Sequence, residues 1–295
     1  MRQQLRARAL GATALLAVAT GAAATDGIDE GLLWQIDHDA AADPSYLFGT
    51  IHSADPRVLD LPEAVAEAFD EAQRYRFELD FGDMLEDPAM MRMFYLDGRR
   101  LSERLPEKLW ERTREAAQQT GLGTENLEQM RPWAVATVMS VPDQEPTEIL
   151  DYQLFDRAQA RELPVEGLET VDEQLGIFDD LPLEQQVSML ETAVEYVEEG
   201  RVESTYEEMV GLYLEGDLAG MVAMAEEHPA LPGLEDQEAF MRRLIEERNQ
   251  IMVTRMTDDL RAGGTFVAIG ALHLPGEHGV IRRLEQRGFS VTRIE

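Results

Sequence analysis

The residues YLFGTIH, at positions 46–52, decide the fold, because an apolar segment runs there directly into a Gly-x-x-His pattern. The aromatic and aliphatic residues between Tyr46 and Ile51 are typical of a buried strand. Gly49 would let the backbone approach a neighbour or a ligand closely. His52 then stands where a strand ends, which is where ligands bind in open α/β sheets. A single histidine of this kind could equally be a hydrogen-bonded turn residue.

The residues VAIGALH, at positions 267–273, repeat this pattern near the other end of the chain. Each copy has an apolar strand, then Gly-x-x-His, then a proline-containing turn and a helix. Gly270 and His273 therefore correspond to Gly49 and His52, and the two copies use two of the five histidines in the chain. A repeated context favours a shared functional site over two unrelated turn residues.

The rest of the sequence predicts an α/β domain with a mostly helical middle. A polar turn joins strand 32–36 to strand 46–51, and a helix from Pro62 to about Gln73 leads to an alternating strand at 74–80. This is a β-α-β unit, for which a parallel, right-handed crossover is the default. The pattern also predicts helices at 105–119, 131–140 and 148–161, a strand at 163–169, two or more helices within 182–226, a helix at 235–261, and a closing strand–helix–strand unit at 265–271, 279–286 and 289–294. Strands with crossover helices at both ends of the chain would thus form a central sheet region.

Two other predicted strands end in acidic residues, Glu78 in RYRFELD (74–80) and Glu169 in LPVEGLE (163–169). Two imidazoles and one or two carboxylates that meet at one edge of a sheet would suit Mn²⁺, Co²⁺ or Zn²⁺. Such an ion lowers the pKa of bound water and polarises a carbonyl group, so hydrolysis is the expected chemistry.

The composition excludes several other kinds of site. The chain has 295 residues, no cysteine and a formal net charge of −32. It therefore has no disulfide, thiolate nucleophile or cysteine-bound metal, and nucleic acid is not expected as a partner because phosphate binding needs a basic surface. The sequence also lacks Gly-x-Ser-x-Gly, His-Glu-x-x-His and Gly-x-x-x-x-Gly-Lys patterns. Serine hydrolases, ordinary zincins and nucleotide-driven enzymes are therefore disfavoured.

The first 24 residues have the order of a secretory signal peptide. A basic start, MRQQLRAR, is followed by a short apolar run and by the small residues Ala22, Ala23 and Ala24. Cleavage is expected before Thr25, which leaves one mature α/β domain at 25–295. The apolar run is shorter than a membrane helix requires, so no stable membrane span is expected after cleavage. We therefore predict an exported protein, periplasmic or secreted.

Three more polar residues near the second Gly-x-x-His pattern are candidates. Two lie on the predicted helix before this pattern, and the third lies shortly after it. Arg248 and Asn249 lie in EERNQIM, residues 246–252, within the predicted helix 235–261. Their spacing alone indicates an exposed helical arginine, whereas an arginine aimed at the site could hold an anionic oxygen or orient a carboxylate. His278 follows His273 by five residues and either supports the site or is exposed.

Several blocks of this sequence resemble the TraB/GumN family, which is related to the TIKI proteins. The opening block is LFGTIHSADPRVLDLPEAVAEAFDEA (47–72) with YRFELD (75–80), and the closing block is FVAIGALHLPGEHGVIRRLEQRGFSVTRI (266–294). Between them, MRPW (130–133), LPVEGLET (163–170) with Gln174, and the pair Arg248-Asn249 also resemble family blocks. The resemblance spans Leu32 to Ile294.

This resemblance implies a two-part α/β fold that brings the Gly-x-x-His motifs together, and a divalent-metal-dependent peptidase activity. By motif, His52 and His273 would bind Mn²⁺, Co²⁺ or Zn²⁺, with Glu78 as third ligand or general base. Arg248 matches the helix arginine and would stabilise the developing oxyanion, and Glu169 matches a recurring acid. The expected substrate is a peptide or protein.

Two other functions stay open at this point. The same pocket could hold a metal, haem or a peptide without turnover in a non-catalytic periplasmic binding protein. Alternatively, the acidic surface could contact another exported protein. A cleavage assay across peptide libraries would separate these functions, and the sequence makes no prediction of oligomeric state.

Overall fold

The computed structural model describes residues 28–82, 84–122, 124, 126–144, 146–227 and 237–294. The predicted signal peptide, residues 1–24, lies outside these ranges. The described residues form an α/β arrangement around a mixed sheet, which confirms the predicted fold class. Within these ranges, no helix combines the length and the apolar character that crossing a membrane would require.

Six strands in the described part of the chain form the sheet. In chain order they are β1 (Leu33–Asp37), β2 (Ser45–Thr50), β3 (Arg74–Phe77), β4 (Val165–Gly167), β5 (Thr265–Gly270) and β6 (Ser290–Arg293). Their order across the sheet is β4-β3-β5-β2-β1-β6. β2, β3, β4 and β5 are parallel to one another, whereas β1 is antiparallel to both β2 and β6. The carboxyl ends of four strands therefore lie along one edge, where ligands bind in such sheets.

The strand β5 occupies the centre of the sheet. It pairs with β2 through Thr50 and Gly270, and with β3 through Phe77 and Ala268. The predicted β-α-β unit thus has parallel strands, but β5 separates them and they are not direct neighbours. The reason lies in the composition of β5, because all six of its residues are buried. An uninterrupted apolar strand is suited to a central position that is covered on both faces.

The strands β2 and β3 end earlier than the sequence predicted. β2 ends at Thr50 rather than Ile51, and β3 ends at Phe77 rather than Asp80. His52 and Glu78 therefore lie just beyond the ladder, where their side chains are not confined to one face of the sheet.

Helices make up most of the remaining described chain. The α-helices are α1 (Pro56–Leu59), α2 (Glu63–Glu71), α3 (Glu107–Gln119), α4 (Pro132–Met139), α5 (Leu150–Gln159), α6 (Val171–Asp179), α7 (Leu183–Glu198), α8 (Val202–Glu215), α9 (Leu218–Glu227), α10 (Gln237–Met241), α11 (Arg248–Ala262) and α12 (Val280–Glu285). The mostly helical middle agrees with the sequence pattern, but α6 was not predicted. A capping box of Thr170 and Glu173 begins it, and such a box satisfies two backbone donors of the first turn.

Three contacts of the helices matter for the site. A π-helical segment, Arg242–Glu247, joins α10 directly to α11. The hydroxyl of Tyr213, on α8, donates to the carbonyl oxygen of Gly49 at 3.0 Å. Helix α9 packs against the short turn Ala271–His273 that follows β5. The helical middle therefore covers the carboxyl edge of the sheet.

Candidate active site

Four candidate side chains follow the four parallel strands at this edge. His52 comes after β2, Glu78 after β3, Glu169 after β4 and His273 after β5, and all four are buried. His52, Glu78 and His273 line one cavity together with Arg248. The repeated Gly-x-x-His pattern thus brings both histidines to the same cavity from opposite ends of the chain.

His52 is held by a buried carboxylate. Its Nδ1 donates to Asp151 Oδ2 at 2.8 Å, and the hydroxyl of Thr50 donates to Asp151 Oδ1 at 2.5 Å. Asp151 lies on α5 and is only 2% exposed. Because the carboxylate accepts from Nδ1, the proton of a neutral imidazole resides there and Nε2 carries the free lone pair.

His273 is held by an amide instead of a carboxylate. Its Nδ1 lies 2.7 Å from Asn249 Oδ1, and Asn249 Nδ2 donates to the carbonyl oxygen of His278 at 2.9 Å. The carbonyl of His278 fixes which side of the amide faces the imidazole, so His273 Nδ1 is also a donor. His278 therefore supports the site through its main chain, whereas its side chain is 63% exposed.

Glu78 belongs to a buried network with Arg248, Glu169 and Gln174. Arg248 donates to Glu78 Oε1 from one terminal nitrogen, and that nitrogen also lies 2.7 Å from Glu169 Oε2. Gln174 Nε2 donates to Glu78 Oε1 at 2.7 Å, and the N–H of Gly270 donates to Glu78 Oε2 at 3.1 Å. Both oxygens of Glu78 therefore already accept hydrogen bonds.

The interpretation of Arg248 as an exposed helical residue is wrong. Arg248 is 6% exposed and is the first residue of α11, immediately after the π-helical segment. Its Nε lies 3.0 Å from both oxygens of Glu169, and a third nitrogen donates to the carbonyl oxygen of Leu244 at 3.3 Å. A buried guanidinium ion is stable there because two carboxylates and a carbonyl accept its hydrogen bonds.

The two motif glycines serve different purposes. A Cβ atom on Gly49 would lie 3.1 Å from the Cα atom of Ala271, so this glycine permits the turn after β5 to pack closely on β2. A Cβ atom on Gly270 would lie 3.4 Å from Glu78 Oε2 and 3.5 Å from His273 Cδ2. Gly270 therefore leaves open space beside two side chains of the cavity.

The electrostatic environment shifts the pKa values of the two histidines in opposite directions. Burial lowers the pKa of His52, but the neighbouring carboxylates of Asp151 and Glu78 raise it, and the net result is above the usual value. Burial and the Arg248 guanidinium lower the pKa of His273 to about 3. Burial raises the pKa of Glu78, yet Arg248 and the histidines outweigh it and hold that pKa well below its usual range. At neutral pH, Glu78 is thus a carboxylate and His273 a neutral imidazole.

The cavity between these residues is small. It offers about 30 Å³ to the centres of water-sized molecules, which is enough for one or two waters or a partly hydrated ion. Thr50, His52, Glu78, Arg248 and His273 form its polar side. A cavity of this size, lined by two imidazoles, has room for an ion rather than for a large cofactor.

The donor set fits a divalent metal ion in part. Among the described residues, neither histidine Nε2 makes a hydrogen bond, and an Nδ1–H held by an oxygen is the usual arrangement of a metal-binding histidine. Within the same residues, no group of three His, Asp or Glu side chains is arranged to hold an ion. The two Nε2 atoms are therefore available as ligands, while the Glu78 oxygens are engaged by Arg248, Gln174 and Gly270.

Sequence reasoning missed Asp151 and gave no separate role to Thr50. Asp151 is separated from His52 by 99 residues and lies in a helix, so neither a motif nor a strand end indicates it. One signal in the sequence did indicate that Asp151 is buried. It lies in the first turn of an amphipathic helix, close to the apolar face that Leu150 and Leu154 form.

The chain belongs to the TraB/PrgY/gumN family, whose profile matches residues 32–293. The chain is similar to Metalloprotease TIKI2 of Danio rerio, with 27% identity over 88% of this chain, and to Metalloprotease TIKI1 of the same organism at the same identity and coverage. It is also similar to a Metalloprotease TIKI homolog of Nematostella vectensis, with 26% identity over 85% of this chain. The matches cover 60%, 62% and 65% of these relatives' own lengths. No solved structure matches the chain.

Proposed function

We propose that this protein is an exported, metal-dependent hydrolase, specifically a peptidase. The observation that carries the proposal is the pair of imidazoles whose Nδ1 atoms are held by Asp151 and Asn249, so that both Nε2 atoms are free for an ion. The similarity to relatives named metalloproteases supports the same reaction class. Export to the periplasm or the medium is part of the proposal and rests on the sequence of residues 1–24.

His52 and His273 would hold the ion through Nε2. When bound, a divalent ion such as Mn²⁺, Co²⁺ or Zn²⁺ supplies a more acidic water and a polarised carbonyl. Asp151 and Asn249 keep the rings in the required tautomer and orientation. Among the described residues, Glu78 is the carboxylate that lines the cavity. It would be a third ligand or the general base once it exchanged one of its present hydrogen bonds.

Arg248 keeps the carboxyl group of Glu78 in its charged form. Its guanidinium keeps the pKa of Glu78 well below its usual range. Glu78 would therefore act as a general base only after it exchanged its hydrogen bond with Arg248, because a low pKa makes a carboxylate a weak base. The same positive charge lines the cavity and would stabilise an oxyanion as it develops on a scissile carbonyl. Glu169 fixes the guanidinium plane through bonds from Nε and a terminal nitrogen, and thereby positions Arg248 without reaching the cavity.

Metal content and cleavage, measured on the same purified protein, test the proposal. We expect bound Mn²⁺, Co²⁺ or Zn²⁺ and cleavage of members of a peptide library, and we expect His52→Ala and His273→Ala to lose both. His38→Ala is the matched control, because His38 lies in the turn between β1 and β2, and does not line the cavity. If both site variants keep wild-type metal content and hydrolysis, the assignment is wrong. Metal binding without cleavage of any peptide would favour the non-catalytic binding protein instead.

A further inference from the structure

Apolar residues line the rest of this cavity. Seven residues form this apolar side: Ile51, Met209, Met221, Leu244, Ile245, Ala271 and Leu272. They come from the loop after β2, from α8 and α9, from the π-helical segment and from the turn after β5. Among the described residues, helices α8 and α9 line the cavity with Met209 and Met221 alone.

The charged groups on the polar side are already engaged with one another. Arg248 donates to two carboxylates and a carbonyl, and Glu78 accepts from three donors. The hydroxyl of Thr50 is engaged with Asp151. A charged side chain that entered the cavity would lose its hydration and would have to displace one of these existing partners, which is costly.

Two residues of the apolar side mark where the cavity meets solvent. Ile245 and Leu272 are half-buried, whereas Met209, Met221 and Leu244 are buried. An arriving chain would therefore meet Ile245 and Leu272 first. Met209 and Met221 are unbranched and flexible, so their side chains can move to enlarge this small cavity.

We infer that the site takes peptides by an apolar side chain that packs between Ile245 and Leu272, against Met209 and Met221. This inference rests on the proposed function and specifies its substrate class. The chain's net charge of −32 acts in the same direction, because it repels acidic segments. Apolar pockets typically discriminate by roughly 10- to 200-fold for each methylene that they bury.

The test is a peptide set in which one position carries Leu, Gln, Asp or Lys. Binding is measured by fluorescence polarisation on protein kept in a chelator, so that nothing is cleaved, and cleavage is measured on protein loaded with Mn²⁺, Co²⁺ or Zn²⁺. Leu-containing peptides should bind at least about 10-fold more tightly than Asp-containing ones. Leu272→Asp should abolish this preference and favour Lys, because it places a carboxylate at the mouth of the cavity.

Leu96→Asp is the matched control, since Leu96 is 70% exposed and does not line this cavity. Its peptide preference should equal that of the wild type. Leu272→Gln tests the same position if Leu272→Asp fails to fold. Equal binding of all four peptides, no binding at all, or an unchanged preference in the Leu272 variants would overturn the inference. Selective binding of apolar peptides without any cleavage would refute the peptidase activity but not the preference for apolar side chains. Cleavage without selectivity would refute the preference but not the peptidase activity.

Discussion

On the proposed function, replacing Asp151 by a residue of the same shape should weaken metal binding without unfolding the protein. Asp151→Asn can still accept from His52 Nδ1 through its amide oxygen, while its amide group faces the hydroxyl of Thr50, which can rotate to accept. The tautomer of His52 is preserved, but the negative charge beside the ring is lost. Asp151→Ala removes both acceptors and leaves Nδ1–H and the Thr50 hydroxyl unpaired in a buried position.

The expected magnitudes follow from these contacts. Loss of a partner that orients a metal-binding histidine costs about 10- to 100-fold in metal affinity, or about 1.4 to 2.7 kcal/mol. We expect Asp151→Asn near the lower limit and Asp151→Ala near the upper one. The alanine variant should also lose about 1 to 3 kcal/mol in the free energy of unfolding, because it leaves buried polar groups unsatisfied.

Competition with a chelator of known affinity measures the binding of Zn²⁺ or Mn²⁺, and urea unfolding measures stability. The control is Asp156→Asn, because Asp156 lies on the same helix, α5, and is exposed. The reasoning about Asp151 is refuted if Asp151→Asn binds metal as tightly as Asp156→Asn does. A drop in stability with no change in affinity would mean that Asp151 only supports the fold.

Three other predictions concern the frame around the site. Arg248→Met leaves two buried carboxylates without their cation and should lower the free energy of unfolding by about 3 to 5 kcal/mol. Arg255→Met, on the exposed side of the same helix, should lower it by under about 1 kcal/mol. Equal losses for the two variants in urea unfolding would contradict this prediction. Gly49→Ala places a methyl group 3.1 Å from the Cα atom of Ala271, so overpacking should cost about 1 to 3 kcal/mol, and a melting temperature equal to the wild type's would show that the turn yields freely. Hydrogen bonds from Arg255 hold the pKa of Glu173 at about 2, below its ordinary 4.5. The stabilisation from ionised Glu173 is therefore present above pH 4.5 and is lost as pH falls towards 2, so the difference in stability between wild type and Glu173→Gln, under about 1 kcal/mol because both side chains are partly exposed, should vanish over that range. A difference that grows as the pH falls would show that the sign is wrong.

The sequence predicted the location of both histidines because local patterns determine it. An apolar strand followed by Gly-x-x-His places the imidazole at a strand end, and parallel strands bring their carboxyl ends to one edge. The β-branched and aromatic residues of β2 and β5 therefore carried most of this information. The pairing of β5 with both β2 and β3 was not predictable in the same way, since periodicity identifies a strand but not its neighbours.

The burial of Arg248 depends on tertiary packing. The spacing of Arg248 on its predicted helix indicated an exposed residue, and only the resemblance to the family placed it at the site. In the structure, the buried face of α11 continues from Met252 and Met256 back to Arg248, one turn earlier. Residues four apart share a helix face, so extending that stripe towards the N-terminus would have indicated a buried arginine.

The central position of β5 has a consequence for how the molecule comes to be folded. Every polypeptide is made from its N-terminus, yet β5, which joins β2 to β3, is the fifth of the six described strands in chain order. Until residues 265–270 arrive, β2 and β3 each lack the partner that satisfies one edge of their backbone. Unpaired edges of this kind promote aggregation. The arrival of β5 closes both edges at once and delivers His273, so that the histidine pair is completed by the same event that completes the centre of the sheet.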